Sequence, residues 1–319
     1  MKYSLKKRTA GSIMLCRRWG GGPLLVLVLA ALLTALIAAC TTSSNRMSTT
    51  PTSAPGARPS VSGANIASLP VITITAYDYS FAMPATVRAG LTVVKLVNAG
   101  SQPHQISFGS VKAGVKVDQV LAAAKRGAAA ESYLESVLDF AGGPNAIAPD
   151  AQQETILNLT ADHYVVVCFL PGPHGMPHYQ MGMISPFTVM AASGPAPAGE
   201  PAADAVIKLV NFGFVMPASL KQGDLVKLVN QATQAHEMAI VQPAPGKTVQ
   251  DILAWTKHPT PTVPFLYVGG MSPIAAGSAA WLMLSLTPGR YVALCFVTDP
   301  ATGKRHFMLG MIYPFMVQA

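Results

Sequence analysis

Charged side chains are scarce in this sequence, where Asp, Glu, Lys and Arg make up only 11% of 319 residues. The formal net charge is nevertheless +8. Six of the 22 basic residues precede residue 40, where no acidic residue occurs: Lys2, Lys6, Lys7, Arg8, Arg17 and Arg18. Setting these six aside leaves 16 basic against 14 acidic side chains. No basic patch stands out in the remainder, so the sequence excludes nucleic acid as a partner.

Cysteine is also rare, with four residues in the whole chain. The sequence has no phosphate-cradling glycine loop and no Ser-His-Asp signature, which removes two common patterns of nucleotide-binding proteins and hydrolases. Half of the residues are hydrophobic. A chain of this length and composition can therefore build two cores of ordinary size.

The first forty residues have the layout of an export signal. Basic residues are followed by the apolar stretch 23–39, which is short for a membrane span. The motif "IAAC" at 37–40 resembles the lipobox of bacterial lipoproteins, and that resemblance implies a lipid on Cys40 as the new N-terminus. We therefore expect a signal peptide at 1–39 and attachment to a membrane, its partner, through the lipid. The protein is then expected in the bacterial cell envelope, on the extracytoplasmic side, which is either periplasmic or extracellular. An uncleaved signal anchor is the alternative.

Residues 40–69 are rich in Ser, Thr, Pro, Ala and Gly, a composition that predicts a disordered tether. With Cys16 in the signal and Cys40 carrying lipid, only Cys168 and Cys295 remain for the folded part. Export to an oxidising compartment leaves a disulfide between these two as one possibility. That disulfide requires two strand ends to meet across a domain interface.

The body of the chain is an internal repeat, with two tandem copies of one unit. "FAMPATVRAG" at 81–90 matches "FVMPASLKQG" at 214–223, and "YVVVCF" at 164–169 matches "YVALCF" at 291–296. The segments "KLVN" and "GM-I-x-PF-x-V" also recur, with offsets between 127 and 133 residues throughout. A likeness of this length covers whole domains rather than a local motif.

Each copy is rich in short β-branched and alternating segments bounded by Gly and Pro, which is typical of a β-sandwich. The stretch 117–140 predicts one broken helix or two, and Thr248 with Asp251 has capping-box spacing for a helix in the second copy. The sequence therefore predicts a mainly β protein with two tandem β-sandwich domains, each with a short helical insert. We place them at 70–190 and 205–319, with a linker at 191–204.

Metal-capable side chains recur at matching places in the two copies. They are His104, Cys168, His178 and Met183 in the first copy, and His236, Cys295, His306 and Met311 in the second. Two imidazoles, one thiolate and a weak thioether suit a copper site for electron transfer, because the sulfurs favour Cu(I) and the imidazoles also accept Cu(II). We expect one copper per domain, although one site alone could be loaded.

The segment "NAGSQPHQISF", followed much later by Cys, His and Gly-Met, resembles the cupredoxins, the blue-copper proteins of the plastocyanin type. The resemblance covers roughly 71–190 and 205–318 and implies a Greek-key β-sandwich with an early His and a later Cys, His and Met as ligands. One feature departs from the family. Nine residues separate Cys168 from His178 and ten separate Cys295 from His306, more than in the best-known members.

Three residues compete with these assignments. His174 lies nearer the family's usual spacing, but it has no counterpart in the second copy, whereas His178 aligns with His306. Met181 and Met308 are alternatives to the two Gly-Met methionines. The repeat favours His178 and the Gly-Met pairs, and the three rivals stay open.

The sequence has no His-X-His element and no His directly before either cysteine, which related oxidases and nitrite reductases need. We therefore expect a copper-binding one-electron carrier rather than an enzyme, with an unidentified redox or copper-exchange protein as partner. One alternative is copper scavenging or delivery in the envelope, suggested by the surplus of soft ligands. A metal-free β-sandwich binding module is another.

Overall fold

The computed structural model describes residues 65–127, 130–194 and 199–319. The predicted signal peptide, the lipidation site Cys40 and the tether as far as residue 64 lie outside this part. Within it, no helix has the length and apolar character needed to cross a membrane. Residues 65–69 were predicted as tether, yet Ile66–Ser68 form a 3-10 helix and Leu69 is buried.

Eighteen strands dominate the described chain. Those of the first copy are β1 Val71–Tyr77, β2 Ser80–Ala82, β3 Thr86–Arg88, β4 Gly90–Asn98, β5 Ser107–Val111, β6 Leu138–Gly142, β7 Gln152–Leu159, β8 Asp162–Val167 and β9 Ile184–Met190. Those of the second copy are β10 Ala205–Val210, β11 Gly213–Val215, β12 Leu220–Lys221, β13 Leu225–Asn230, β14 His236–Pro243, β15 Phe265–Ile274, β16 Ala279–Met283, β17 Gly289–Leu294 and β18 Ile312–Gln318. The helices are α1 Val117–Ala124, α2 Ala130–Val137, α3 His178–Met181, α4 Val249–Lys257 and a 3-10 helix at His306–Leu309.

Buried and outward-facing residues alternate along the strands, as the sequence predicts. In β1, Ile72, Ile74 and Ala76 are buried while the residues between them face outward, as side chains on a pleated strand must. Both helical inserts are present. α1 and α2 lie within the stretch 117–140 that was predicted to be helical, but its last three residues belong to β6. α4 begins at the Thr248 cap, which accepts a hydrogen bond from the Asp251 N–H.

The strands form two sheets, each shared by both copies. One sheet has the order β11-β10-β13-β16-β7-β4-β1-β2, and the other β12-β18-β17-β14-β15-β6-β5-β8-β9-β3. The first four strands of one sheet and the first five of the other come from the second copy. The mainly β sandwich of two sheets predicted from the sequence is confirmed.

The copies are joined where strands of equivalent position meet. β16 pairs antiparallel with β7, with Trp281 opposite Ile156, and β15 pairs with β6, with Ile274 opposite Ala141. The largest buried hydrophobic cluster likewise contains residues of both copies. Residues 65–319 belong to one compact unit. The domain boundaries at 70–190 and 205–319 stay predictions.

Candidate metal centres

Three ligand-type side chains of the first copy meet at one end of its sandwich. His104 follows β4, Cys168 follows β8, and His178 opens the short helix α3. The Nδ1 atoms of the two histidines lie 3.1 Å apart, and the Cys168 Sγ lies 3.5 Å from the His178 Nδ1. All three residues are buried. We call them the first metal group.

The second copy repeats this arrangement. The Cys295 Sγ lies 3.3 Å from the His306 Nδ1 and 3.9 Å from the His236 Nδ1. In both copies the three ligand atoms lie within 4.8 Å of one another. His236, Cys295 and His306, all buried, are the second metal group.

The same backbone hydrogen bonds hold the ligand loop in both copies. In the first, Cys168 N–H donates to the Met183 carbonyl, Met183 N–H donates to the His178 carbonyl, and Tyr179 N–H donates to the Cys168 carbonyl, all at 3.0 Å. The equivalent distances in the second copy are 3.3, 3.0 and 2.9 Å. The long Cys-to-His loops therefore still return each histidine to its cysteine.

The two Gly-Met methionines are anchored by this network. Met183 and Met311 are fully buried and share the large hydrophobic cluster with both cysteines. The rivals lie elsewhere: His174 is exposed and outside both groups, Met308 is 42% exposed, and the Met181 methyl packs beside Gly172.

Both cysteines are free thiols, which removes the alternative of a disulfide between them. Burial raises the pKa of the Cys168 thiol to about 12 and that of Cys295 well above its usual value. Backbone N–H groups oppose this effect in part. The Glu237 N–H, for example, donates to the Cys295 sulfur over 3.4 Å. A thiolate in either place therefore needs a positive charge beside it.

The histidines are held in the neutral form that a metal ion requires. Burial lowers the pKa of His178, His236 and His306 to about 4 each. Burial also lowers the pKa of His104, although its hydrogen bond with Asp78 works in the opposite direction. Neutral imidazoles at ordinary pH leave the convergent nitrogens available as ligands.

The outer ring nitrogens have different partners in the two groups. In the first, the His104 Nε2 lies 2.7 Å from the Asp78 carboxylate. In the second, the His306 Nε2 lies 3.2 Å from the Gln234 amide oxygen. The Nε2 atoms of His178 and His236 are buried and have no hydrogen-bond partner among the described residues.

The hydrogen bond between Gln234 and His306 has no equivalent in the first group, and one substitution explains this: Tyr79 of the first copy corresponds to Phe212 of the second. Tyr79 lies edge-on to His178, and its hydroxyl takes a hydrogen bond from Gln102. Phe212 lies in the corresponding place against His306 and has no hydroxyl. Gln234, the counterpart of Gln102, is therefore free to reach the imidazole.

These distances fit a single ion in each group. Taking bond lengths of about 2.0 Å for nitrogen and 2.3 Å for sulfur, tetrahedral ligand atoms lie roughly 3.3–3.5 Å apart. The four separations given above, 3.1–3.9 Å, scatter about that range. Hydrogen bonds between the thiol and the rings also account for these contacts, but two imidazole Nδ1 atoms and one cysteine sulfur converging in both copies are also the donor set that suits a copper ion.

Asp78, Tyr79, Gln102, Phe212 and Gln234 were not singled out from the sequence. The first two lie just before the repeated "F-x-MP" segment, and the two glutamines lie two residues before the first histidine of each group. Aligning the copies beyond their identical segments would have pointed to them. Their contacts are made between distant strands, which no local pattern reveals.

No protein family model and no curated protein matches the chain. Solved structures do. A multicopper oxidase is 17% identical, with 78% of this chain and 89% of that one covered at a TM-score of 0.25. Auracyanin A, a blue copper protein of Chloroflexus aurantiacus, is 16% identical over 37% of this chain and 97% of its own, with a TM-score of 0.27. At these identities the similarity concerns the fold alone.

A copper-containing nitrite reductase of Thermus scotoductus is also similar, at 10% identity over 78% of this chain and 61% of that one, with a TM-score of 0.21. The prediction that the protein is not an enzyme is therefore wrong, because the similar structures include an oxidase and a reductase. The missing His-X-His element does not by itself remove the enzyme class.

Proposed function

We propose that the protein binds copper at both metal groups and takes part in one-electron transfer at the cell envelope, anchored by a lipid on Cys40. One observation carries the proposal. In each copy two imidazole Nδ1 atoms and one cysteine sulfur converge in a buried place, on loops with the same hydrogen bonds. Bound copper supplies the one-electron chemistry.

The chain's own residues have defined tasks in this proposal. Cys168 and Cys295 provide the thiolates, and the four histidines provide the nitrogen ligands. Met183 and Met311 would provide weak thioether ligands, on account of their burial in one cluster with the cysteines and their place in the loop network. Each thiol loses its proton when the ion binds, since the thiolate is the ligand form.

Burial and rigidity suit these tasks. The ligand side chains are no more than 1% exposed, which keeps water from the ligand atoms. The ligands lie within or close to different strands and short helices, and backbone hydrogen bonds hold the ligand loops, so we expect the donor positions to change little when the charge at the centre changes. A nearly fixed donor set keeps the structural cost of electron transfer small.

Metal analysis with an optical spectrum tests the proposal. The full protein is expected to take up two copper ions and to show the intense visible absorption of a thiolate–Cu(II) bond. Cys168→Ser and Cys295→Ser should each lose one ion and about half of the absorption. His163→Gln, at an exposed histidine outside both groups, is the control and should keep both. A protein that takes up no copper would overturn the proposal.

Copper delivery is the second candidate, favoured by exposed thioethers near the ligand loops. Met176 is 51% exposed and Met308 is 42% exposed, so each loop offers an outer sulfur to an arriving Cu(I) ion. Tight Cu(I) binding without the thiolate–Cu(II) absorption would favour delivery. Strong absorption and reversible one-electron reduction would favour electron transfer.

A further inference from the structure

A cavity of about 320 Å³ lies between the two copies and takes walls from both. It opens to solvent beside Pro259, Thr260 and Met308, which are exposed. A volume of this size is within the range of small-molecule sites, which start at about 300 Å³. We call it the interface cavity.

Six aromatic rings line the interface cavity, although aromatics are only 7% of the chain. They are Phe140, Phe169, Trp255, Tyr267, Phe296 and Phe307. Trp255 stacks on Phe307 with ring centres 5.3 Å apart, and Phe296 meets Phe307 edge-on at 5.2 Å. Packed rings of this kind form a rigid apolar wall with electron-rich faces.

Negatively charged groups outnumber positively charged ones in the lining of the cavity, with three Glu side chains against one Arg. Arg305 forms a two-pronged ion pair with Glu131, at 2.5 and 3.1 Å, so its charge is matched. Glu135 and Glu237 also line the cavity. Neither forms an ion pair with a described Lys, Arg or His, so two carboxyl groups remain without a cation of their own.

Those two carboxyls are held mainly by neutral donors. Asn145 and the Phe296 N–H donate to Glu237 at 2.9 and 2.8 Å, and the Thr298 N–H donates to Glu135 at 3.3 Å. Burial raises the pKa of the Glu135 carboxyl to about 7. Two carboxyls that line a largely aromatic space without an ion pair would gain from a cation placed beside them.

The interface cavity also lies next to both metal groups. Gln105 and Glu237 directly follow the first histidine of each group, and Phe169 and Phe296 directly follow each cysteine. The residues that directly follow four of the ligands therefore line one space between the copies.

We propose that the interface cavity binds a small organic cation, an amine with an aromatic or alkyl body. The ammonium group lies toward Glu135 and Glu237, and the apolar body lies against the aromatic wall. An anion is repelled by the excess of carboxylates. A neutral molecule of the same shape gains the apolar contacts but neither the ion pair nor the attraction between a cation and the ring faces.

Calorimetric titration of the metal-free full chain with three probes of similar shape tests this at pH 8. Phenethylamine is a cation, phenethyl alcohol is neutral and phenylacetate is an anion. We expect the amine to bind at one site, the alcohol to bind at least about tenfold more weakly, and phenylacetate to show no binding. Absent binding of the amine, or equal binding of the alcohol, would overturn the proposal.

Two variants locate the site. Glu135→Gln keeps the side-chain shape and should weaken amine binding about tenfold while leaving the alcohol unchanged. Glu154→Gln, at a carboxylate that faces Lys95 away from the interface cavity, is the matched control and should change neither. Circular dichroism establishes that both variants fold. Equal effects of the two variants would contradict the location.

The cation proposal stands apart from copper binding. The titration uses metal-free protein, so failure to take up copper leaves its outcome unaffected. Amine binding in Cys168→Ser that matches the unaltered protein would separate the two sites further. Loss of amine binding in that variant, with the fold intact, would contradict an independent interface cavity.

Discussion

Asp78 and Asn211 occupy matching positions in the two copies, but only Asp78 contacts a histidine of its metal group. Both side chains bind the following turn, Asp78 through Ser101 and Asn211 through Thr233. Burial raises the pKa of the Asp78 carboxyl, but hydrogen bonds from Ser101 and the contact with His104 outweigh it and hold the pKa at about 2. The first metal group therefore has a carboxylate in direct contact with a ligand histidine, a contact that the second group lacks.

Replacing Asp78 with Asn should weaken the first site selectively. A carboxylate bound to a ligating imidazole makes the ring a better donor and fixes its orientation, and loss of such a partner typically costs about 10–100-fold in metal affinity. We expect Asp78→Asn to lower Cu(II) affinity at the first site and leave the second unchanged, measured by competition titration. Asp162→Asn, at an exposed position, is the control. An equal loss at both sites would count against this role of Asp78.

Each ligand loop ends in a short helical turn followed by glycine. Gly182 closes α3 with a φ of +129°, and Gly310 closes the 3-10 helix with a φ of +112°. These angles strain any residue with a Cβ. The two positions differ in space: a Cβ at Gly182 would lie 2.8 Å from the Tyr79 carbonyl oxygen, whereas at Gly310 the nearest atom is 3.7 Å away.

The matched pair Gly182→Ala and Gly310→Ala separates strain from crowding. Gly310→Ala should lower the free energy of unfolding by about 1–2 kcal/mol through backbone strain alone. Gly182→Ala should cost about 1–3 kcal/mol more, because the loop must move away from Tyr79. Urea denaturation of the metal-free variants measures both values. Equal losses would show that the close approach to the Tyr79 carbonyl does not contribute to the free energy of unfolding.

The whole molecule depends on contacts that cross from one copy to the other. Gln153 of β7 donates its amide to the Gly270 carbonyl at 2.6 Å and accepts from the Gly270 N–H at 3.1 Å. This bridge is buried. The Gly270 N–H donates to Gln153, whereas the Gly270 carbonyl also accepts from the Asn145 N–H at 3.2 Å. Such paired contacts, together with the shared sheets, predict that the copies unfold together.

Removing the bridge should weaken that coupling. Gln153→Ala leaves the buried Gly270 N–H without its partner, at a cost of about 1–3 kcal/mol, and removes one of the two hydrogen bonds to the Gly270 carbonyl. We expect a lower melting temperature and a broader or divided transition in calorimetry. Gln152→Ala, the exposed neighbour on the same strand, should melt like the unaltered protein. A single sharp transition at unchanged temperature in Gln153→Ala would contradict coupling through this bridge.

The amino-acid sequence alone determined the strand character, the internal repeat and the helix cap at Thr248, because these depend on local periodicity and short-range hydrogen bonds. It also indicated the eight candidate ligands, since the same residue types recur at the same places in two copies. The tertiary structure decided what depends on contacts between distant segments. Joining the copies edge to edge created the interface cavity, and folding placed Asp78 beside one histidine and Gln234 beside another. The same ligand motif therefore has different surroundings in the two copies. The partners of a side chain depend on how distant strands pack together and not on its neighbours along the chain.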